Sequence, residues 1–281
     1  MTRMNKGREM LERIVEKLLN RICGWSFHKP SGQEQILLAQ MKEAFRAIPV
    51  MDTGDGLSSQ GQWAKHMNRL RELALSADPG AFLRWDVVSS TMFVSRAAYI
   101  RTELRCLRRC PDWDTRWRAA IKESRVGHPP AYIFYLPSSG NLIHHAYHLA
   151  QFEQKTKRPV DRMNYVFEFG GGYGSMCRLF YNLGFCGKYV IFDLPPFSAL
   201  QRYYLQMLGF PVLTPADAAK AKTGIVCVSN FGQLETIMGG DIQAQKAMFV
   251  ATWSISETPV QIRDAIMPLM TRFNSFLIAY P

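Results

Sequence analysis

Apolar residues change their spacing along the chain near residue 128. Before that point they recur every three or four positions in the segments 33–48, 60–76, 91–109 and 113–124. This period predicts amphipathic helices, and the breakers TGDG, ADPG and CPDWD between the segments predict turns. The first 128 residues are therefore predicted to form a helical domain.

After residue 128 the pattern alternates between short apolar runs and helical periods. The runs fall at residues 132–136, 165–169, 188–192, 211–213, 225–228, 248–252 and 275–279. Helical periods lie between them at residues 141–155, 173–183, 196–208 and 259–272. Such alternation is typical of a parallel sheet with helices on both faces. The sequence predicts an α/β fold, with the helical domain over residues 1–128 and an α/β domain over residues 129–281.

Targeting and redox signals favour a cytoplasmic protein. Residues 1–22 have helical apolar spacing interrupted by Glu9, Glu12 and Glu16, which predicts an amphipathic helix rather than a signal or transit peptide. No apolar run approaches the ~18 residues that a transmembrane helix needs. The six cysteines are scattered without a CxxC pair, so we expect reduced thiols.

The net charge of +11 is concentrated in the first part of the chain. Residues 1–128 carry 22 Lys and Arg against 14 Asp and Glu, and so supply +8 of the +11. Nine of these cations lie close together: Arg96, Arg101, Arg105, Arg108, Arg109, Arg116, Arg118, Lys122 and Arg125. They fit a phosphate-bearing substrate, an acidic lipid or nucleic acid, or equally a solvated helix face. No RNP, KH or zinc-finger pattern favours nucleic acid.

A glycine-rich loop follows the run at 165–169. Its sequence, EFGGGYG, places glycines at 170, 171, 172 and 174, whereas a dinucleotide-binding GxGxxG would need glycine at Ser175. Bare backbone permits a sharp turn and close approach of a ligand, and amides at the next helix start favour an anionic group such as a carboxylate. Glu168 offers a counterpart for an ammonium. Asp193, nineteen residues past Gly174, ends the next strand and suits the hydroxyls of a ribose.

On these motifs the sequence resembles the class I S-adenosylmethionine-dependent methyltransferases. VFEFGGGYG looks like their first motif, and IFDLP looks like the second-strand motif of small-molecule O-methyltransferases. EFGGGYGSMCRLF with YVIFDLPPFSALQRYYL, preceded by NLIHHAYHLAQFE, is similar to bacterial proteins described as sugar O-methyltransferases. The resemblance covers residues 130–281 and implies a Rossmann-like sheet that binds S-adenosylmethionine.

The resemblance also implies a set of cofactor contacts. Gly170, Gly172 and Gly174 would line the methionine end, Glu168 would hold its amino group directly or through water, and Asp193 would bind the ribose, with Leu194 beside the adenine. We expect cofactor contacts at His144, Glu168, Gly170, Gly171, Gly172, Tyr173, Gly174, Asp193, Leu194, Asn230 and Thr252. For Asn230, capping of a loop is an equally simple role.

One departure from the family concerns the number of strands. The full fold has seven strands, whereas FLIAYP stands near the place of the fifth. We expect either a sheet without the last two strands, a partner such as a second copy that covers the edge, or a longer parent chain.

Two segments offer candidates for the base that would take a proton from an alcohol acceptor. NLIHHAYHL places His144, His145 and His148 on one helix, where a cofactor contact, a general base or packing with a hydrogen bond are the roles that stay open. His144 and His148 share a face, as two metal ligands would, but without a further ligand cluster we expect no metal. ATWSISETP follows a strand end and offers Glu257 as base, although a helix-start charge is an equal role for it. Thr252, Trp253, Ser254 and Ser256 of that segment are expected to face the pocket. The catalytic candidates are His145, His148 and Glu257.

The sequence therefore predicts O-methylation of a hydroxyl on a sugar or sugar-containing metabolite, with the helical domain covering the site. The basic helices suit a phosphate-bearing sugar as acceptor. Two alternatives stay open: a methyltransferase that acts on RNA or a nitrogen atom, and a non-catalytic S-adenosylmethionine-binding protein. A nicotinamide oxidoreductase is disfavoured by Ser175.

Overall fold

The computed structural model describes residues 31–54, 59–94, 97–239 and 246–280. The helix expected over residues 1–22 lies outside these ranges, as do Cys23 and Arg96. The five cysteines within them are free thiols.

A five-stranded parallel sheet forms the centre of the fold. Its strands are β1 (Tyr165–Phe169), β2 (Lys188–Phe192), β3 (Gly224–Val228), β4 (Ala247–Thr252) and β5 (Ser275–Ala279). They lie in the order β3-β2-β1-β4-β5, and every pairing is parallel. The α/β fold is confirmed, and this order is compatible with a Rossmann-like sheet.

Helices surround the sheet and make up the segment before it. That first segment contains α1 (Gly32–Ala47), α2 (Ser59–Ser76), α3 (Asp86–Thr91), α4 (Tyr99–Leu107) and α5 (Arg118–Ala120). The later helices are α6 (Gly140–Thr156), α7 (Ser175–Asn182), α8 (Pro195–Met207), α9 (Pro215–Lys220), α10 (Phe231–Ile237), α11 (Ser254–Glu257) and α12 (Val260–Met270). Shorter turns are the 3₁₀ segments Pro79–Arg84 and Val160–Arg162 and the π-helical turn Trp113–Trp117.

Each face of the sheet is covered by its own apolar cluster. Val166 and Ile191 point to one face, where they pack in a cluster that also contains Phe45, Leu70 and other side chains of the first 128 residues. Alternate residues of the same strands, such as Phe167 and Val190, belong to the cluster on the other face. Strands buried on both faces need continuous apolar runs, which is why the pattern of YVFEF and KYVIF located them.

Two expected strands are wrong. Residues 132–136 form a turn, in which the backbone N–H of Tyr135 donates to the carbonyl of Tyr132. Residues 211–213 make only an isolated bridge, between Val212 and Ile225, because the segment is short and begins with a proline that lacks an N–H.

Two of the expected early helices have different bounds. In the segment 91–109, α3 ends at Thr91 and the helix α4 spans only Tyr99–Leu107. In the segment 113–124, the last helical residue is Ala120. Within the described residues, no helix is long and apolar enough to cross a membrane.

Candidate functional site

A cleft of about 610 Å³ opens at the carboxyl ends of the strands. The sheet starts at its centre with β1, extends outward through β2 and β3, and then returns to β4 on the other side of β1. Ligands of open parallel sheets bind at this reversal of strand order. Residues directly after β1, β2, β3 and β4 all line the cleft.

The glycine loop after β1 forms part of the cleft wall. Gly170, Gly172 and Gly174 have φ angles of +75°, +56° and +93°, a region that L side chains rarely adopt. A Cβ at Gly170 would lie 2.3 Å from the Cβ of Ser254, so the close approach of β4's end also requires glycine.

The amides of this loop donate to acceptors of the protein itself. The N–H of Gly170 donates to the carbonyl of Phe192 over 2.9 Å, and that of Gly174 to the carbonyl of Gly171 over 2.8 Å. The N–H of Gly172 donates to Oδ2 of Asp193 over 3.1 Å. These three amides are therefore not directed at an anionic ligand, and the role expected for the amides at the start of α7 stays a prediction.

Asp193 connects the glycine loop to β2 and α8. Its Oδ2 also accepts a hydrogen bond from Nε2 of Gln201 over 2.7 Å, and its Oδ1 accepts one from the N–H of Leu194 over 2.8 Å. Burial raises the pKa of Asp193 to about 7, and these hydrogen bonds oppose the rise. The backbone N–H of Gly171 also donates to this carboxylate. Because a carboxylate has about four acceptor positions, these four donors occupy it, and a ligand hydroxyl would share or replace one of them.

Glu168 lies beneath the loop and not on the cleft wall. The side chain is 2% exposed, and its Oε2 accepts a hydrogen bond from the Tyr189 hydroxyl over 2.9 Å. A Cβ on Gly171 would lie 3.1 Å from the same oxygen, so the loop rests directly on this carboxyl group. Burial, aided by the neighbouring charge of Asp193, raises the pKa of Glu168 to about 8, which makes the group neutral near pH 7.

The end of β4 holds a residue in an unusual backbone conformation. Trp253 has φ +66°, and its N–H donates to the carbonyl of Ala279 at the end of β5 over 2.8 Å. The hydroxyl of the next residue, Ser254, donates to the carbonyl of Phe169 in β1. Left-handed backbone at a bulky residue costs energy and is concentrated at functional sites, and Trp253 lines the cleft.

Behind Trp253 lies a chain of polar side chains. Its indole stacks on the imidazole of His144, with ring centroids 5.0 Å apart. Nδ1 of His144 lies 2.8 and 2.9 Å from the carboxylate oxygens of Glu103, and its Nε2 lies 3.0 Å from Nε2 of His148. Burial and the charge of His144 lower the pKa of His148 to about 4, and burial lowers that of His145 well below its usual value. Both of these imidazoles are neutral near pH 7.

Residues of the segment before residue 128 form part of the cleft wall. The α2 residues that line it include Trp63 and Met67, and the loop before α2 adds Asp52. Trp63 contacts Phe197 of α8 edge to face, at 5.9 Å between ring centroids. Phe192 stacks on Phe169 and contacts Phe231, so aromatic rings form much of the wall.

The charges of the cleft are opposite in sign to those of the whole protein. Asp52, Asp193 and Glu257 line it, and the described lining contains no lysine, arginine or histidine. A chain of net charge +11 thus encloses an acidic and aromatic cavity. Such a cavity favours a ligand that carries a positive charge, which both carboxylates and aromatic faces attract.

The predicted site residues divide into two groups. The cleft brings together Gly170, Gly172, Asp193, Leu194, Thr252 and Glu257, and also Trp253 and Ser254. Its described lining does not include His144, His145, His148, Glu168, Gly171, Tyr173, Gly174, Asn230 or Ser256. Asn230 instead caps α10, where its Oδ1 accepts from the N–H of Gln233 over 3.2 Å.

Several residues of the site were missed from the sequence. Gln201 carried a detectable signal, because it is a polar residue on the buried stripe of α8 and is 0% exposed. Glu103 is likewise a carboxylate on the buried face of α4. Asp52 and Phe231 lie in or beside loops, and nothing in their local pattern marks them.

Among the described residues, no group of three or more His, Cys, Asp or Glu side chains is placed to hold a metal ion. Comparison of the chain with protein-family models, curated proteins and solved structures finds no match.

Proposed function

We propose that the protein is an S-adenosylmethionine-dependent methyltransferase that acts on a hydroxyl group of a sugar or sugar-containing metabolite. The observation that carries the proposal is the meeting of Asp193 with the glycine loop in an acidic cleft at the reversal of strand order. The resemblance of VFEFGGGYG and IFDLP to the motifs of such enzymes supports the same reading.

The residues of the cleft fit this methyl donor. Asp193 would accept from the ribose by sharing or exchanging one of the positions that its four protein donors use, and Leu194 and Phe231 offer apolar contacts to an adenine. The carboxylates of the wall would attract the positive sulfonium, which supplies the methyl group when the donor is bound. Glu168 is buried beneath Gly171 and neutral near pH 7, so its part would be to support the glycine loop rather than to pair with the amino group of the donor.

The same features disfavour a dinucleotide. A pyrophosphate needs free N–H groups or cations, whereas the N–H groups of Gly170, Gly172 and Gly174 already donate hydrogen bonds to acceptors of the protein. The described wall supplies the carboxylates of Asp52 and Glu257, with Asp193 partly ionised near pH 7, and no basic side chain. Placing two phosphate charges there would be electrostatically unfavourable.

The acceptor that suits this cleft is neutral. The arginines between residues 101 and 125 do not belong to its described lining, so a phosphate on the acceptor would find no basic partner there. Asp52 and Glu257 are both exposed carboxylates of the described wall, and Glu257, which follows the end of β4, is the group that we assign to accept the proton of the acceptor hydroxyl. The histidines lie behind Trp253, and we assign His144 the role of supporting that side chain.

The test is a turnover assay with S-adenosylmethionine labelled on the methyl group and a panel of neutral sugars, sugar phosphates and bulk RNA. We expect S-adenosylhomocysteine to form with a neutral hydroxylated acceptor. Glu257→Gln should lower turnover by about a hundred-fold without loss of donor binding, whereas His148→Asn should leave it nearly unchanged. Donor binding without turnover on any acceptor would favour a non-catalytic binding protein, and transfer to RNA would contradict the choice of acceptor.

A further inference from the structure

Four arginines form one exposed face of α4 and its end. Arg101, Arg105 and Arg108 are spaced four and three residues apart, so they share a face, and Arg109 adjoins it; all four are exposed. Among the described residues, no carboxylate forms an ion pair with any of them. Their charges are therefore available to a partner.

An apolar turn lies alongside this face. The N–H of Tyr135 donates to the carbonyl of Tyr132 over 2.9 Å, which leaves Ile133 and Phe134 at the tip of the turn. These two side chains are 62% and 61% exposed. Turn tips normally carry Gly, Asn, Asp or Pro, so two adjacent large apolar residues there are not explained by the turn itself.

The arginines and the turn form one surface. The guanidinium of Arg101 lies 5.2 Å from the ring centroid of Phe134, and that of Arg108 lies 5.2 Å from the ring centroid of Tyr135. Because seven residues of helix span about 10 Å, the turn follows α4 for two helical turns, with Arg105 between the two contacts. We call this surface, made of Arg101, Arg105, Arg108, Arg109, Ile133 and Phe134, the arginine–turn surface.

We propose that the arginine–turn surface binds the headgroup layer of an anionic membrane. The unpaired guanidinium groups complement lipid phosphates and carboxylates, while Ile133 and Phe134 are placed to enter the acyl boundary beside them. A nucleic acid would use the charge and an aromatic ring, but it offers no apolar layer for the aliphatic Ile133. This site is separate from the cleft and does not depend on the function proposed for it.

The test is cosedimentation of the full chain with phosphatidylcholine vesicles that contain either no anionic lipid or about 30% phosphatidylserine. We expect binding only to the anionic vesicles, weakened when NaCl rises from about 0.1 to about 0.5 M. Arg105→Gln with Arg108→Gln should lower the partition coefficient about thirty-fold, since each basic residue near the surface contributes about five-fold. The control, Lys220→Gln with Lys222→Gln, removes the same charge from an exposed segment beside β3 and should change it less than about three-fold.

A second pair of variants tests the apolar tip at constant charge. Ile133→Ser with Phe134→Ser should lower vesicle binding about ten-fold, whereas Ile36→Ser with Met267→Ser, which are 53% and 54% exposed on other helices, should not. Circular dichroism establishes that each variant is folded. The proposal would be overturned by any of three results: equal binding of the wild type to both kinds of vesicle, an equal loss of vesicle binding in the arginine and lysine variants, or unchanged vesicle binding in the variant of the apolar tip. Loss of bulk RNA binding in the arginine variant, with vesicle binding retained, would assign the surface to nucleic acid instead.

Discussion

Replacement of Glu168 by glutamine should abolish the pH dependence that this buried carboxyl group gives to the free energy of unfolding. In the unfolded chain the group loses its proton near its ordinary pKa of 4.5, whereas in the folded protein burial raises the pKa to about 8. Between these values the folded state holds one more proton than the unfolded state. The stabilisation is complete below the unfolded pKa, declines as pH rises and is lost above the folded pKa.

The magnitude follows from the width of this window. Each pH unit inside it changes the free energy of unfolding by about 1.4 kcal/mol. Between about pH 5 and about pH 7.5, the contribution of Glu168 should therefore fall by about 3 kcal/mol. Glu168→Gln keeps the shape and the hydrogen-bonding capacity next to Tyr189 but cannot ionise. The free energy of unfolding of the variant, measured relative to that of the wild type, should therefore rise by that amount from about pH 5 to about pH 7.5.

Urea unfolding of both proteins at the two pH values measures this difference, and all other titrating groups cancel to first order. Glu257→Gln, which removes an exposed carboxylate, serves as the control for loss of one charge. A wild-type-to-variant difference that is flat between about pH 5 and about pH 7.5 would refute the reasoning, because it would mean that Glu168 is ionised beneath the loop at both pH values.

Three further predictions concern the architecture of the site and its support, and urea unfolding measures each. Gly209→Ala should lower the free energy of unfolding by about 1 kcal/mol, because its φ is +80° but its new Cβ meets nothing within 4 Å. Gly170→Ala should lower it by at least about twice as much, because its Cβ would also lie 2.3 Å from a carbon of α11; equal losses would argue against this contact. Glu103→Ala should cost about 1–3 kcal/mol by leaving a buried imidazole unpaired, and Glu103→Gln distinctly less; indistinguishable losses would argue against the hydrogen bond. Arg178→Ala breaks a buried ion pair and should cost about 3–5 kcal/mol, against less than about 1 for the exposed Arg46→Ala; similar values would show that burial does not matter there.

The strands could be predicted from the sequence because both faces of the sheet are covered. Such strands need an uninterrupted apolar run, and YVFEF and KYVIF have burial on every residue. The same rule failed at residues 132–136, where an apolar run of similar length lies on the surface as a turn with Ile133 and Phe134 exposed. Apolar character alone does not say whether a run is buried by the protein or offered to a partner.

The part of the site that follows strand ends was predictable, and the part that depends on packing was not. Asp193 and Thr252 lie at the carboxyl ends of predicted strands, which in a parallel sheet meet at one edge. The histidine cluster was visible as a motif, but its partner Glu103 precedes it by 41 residues on another helix. Periodicity shows that α2 is amphipathic, yet it does not show that Trp63 faces the cleft.

The central claim is that the cleft binds S-adenosylmethionine through Asp193 and the glycine loop, and calorimetric titration tests it most directly. The wild type should bind S-adenosylmethionine and S-adenosylhomocysteine, and NAD should produce no heat of binding. Asp193→Ala should weaken both complexes about ten- to a hundred-fold, the expected loss for hydrogen bonds to a charged group. Absence of binding to the wild type would contradict the account, and unchanged affinity in Asp193→Ala would contradict the assignment of this carboxylate to the ribose.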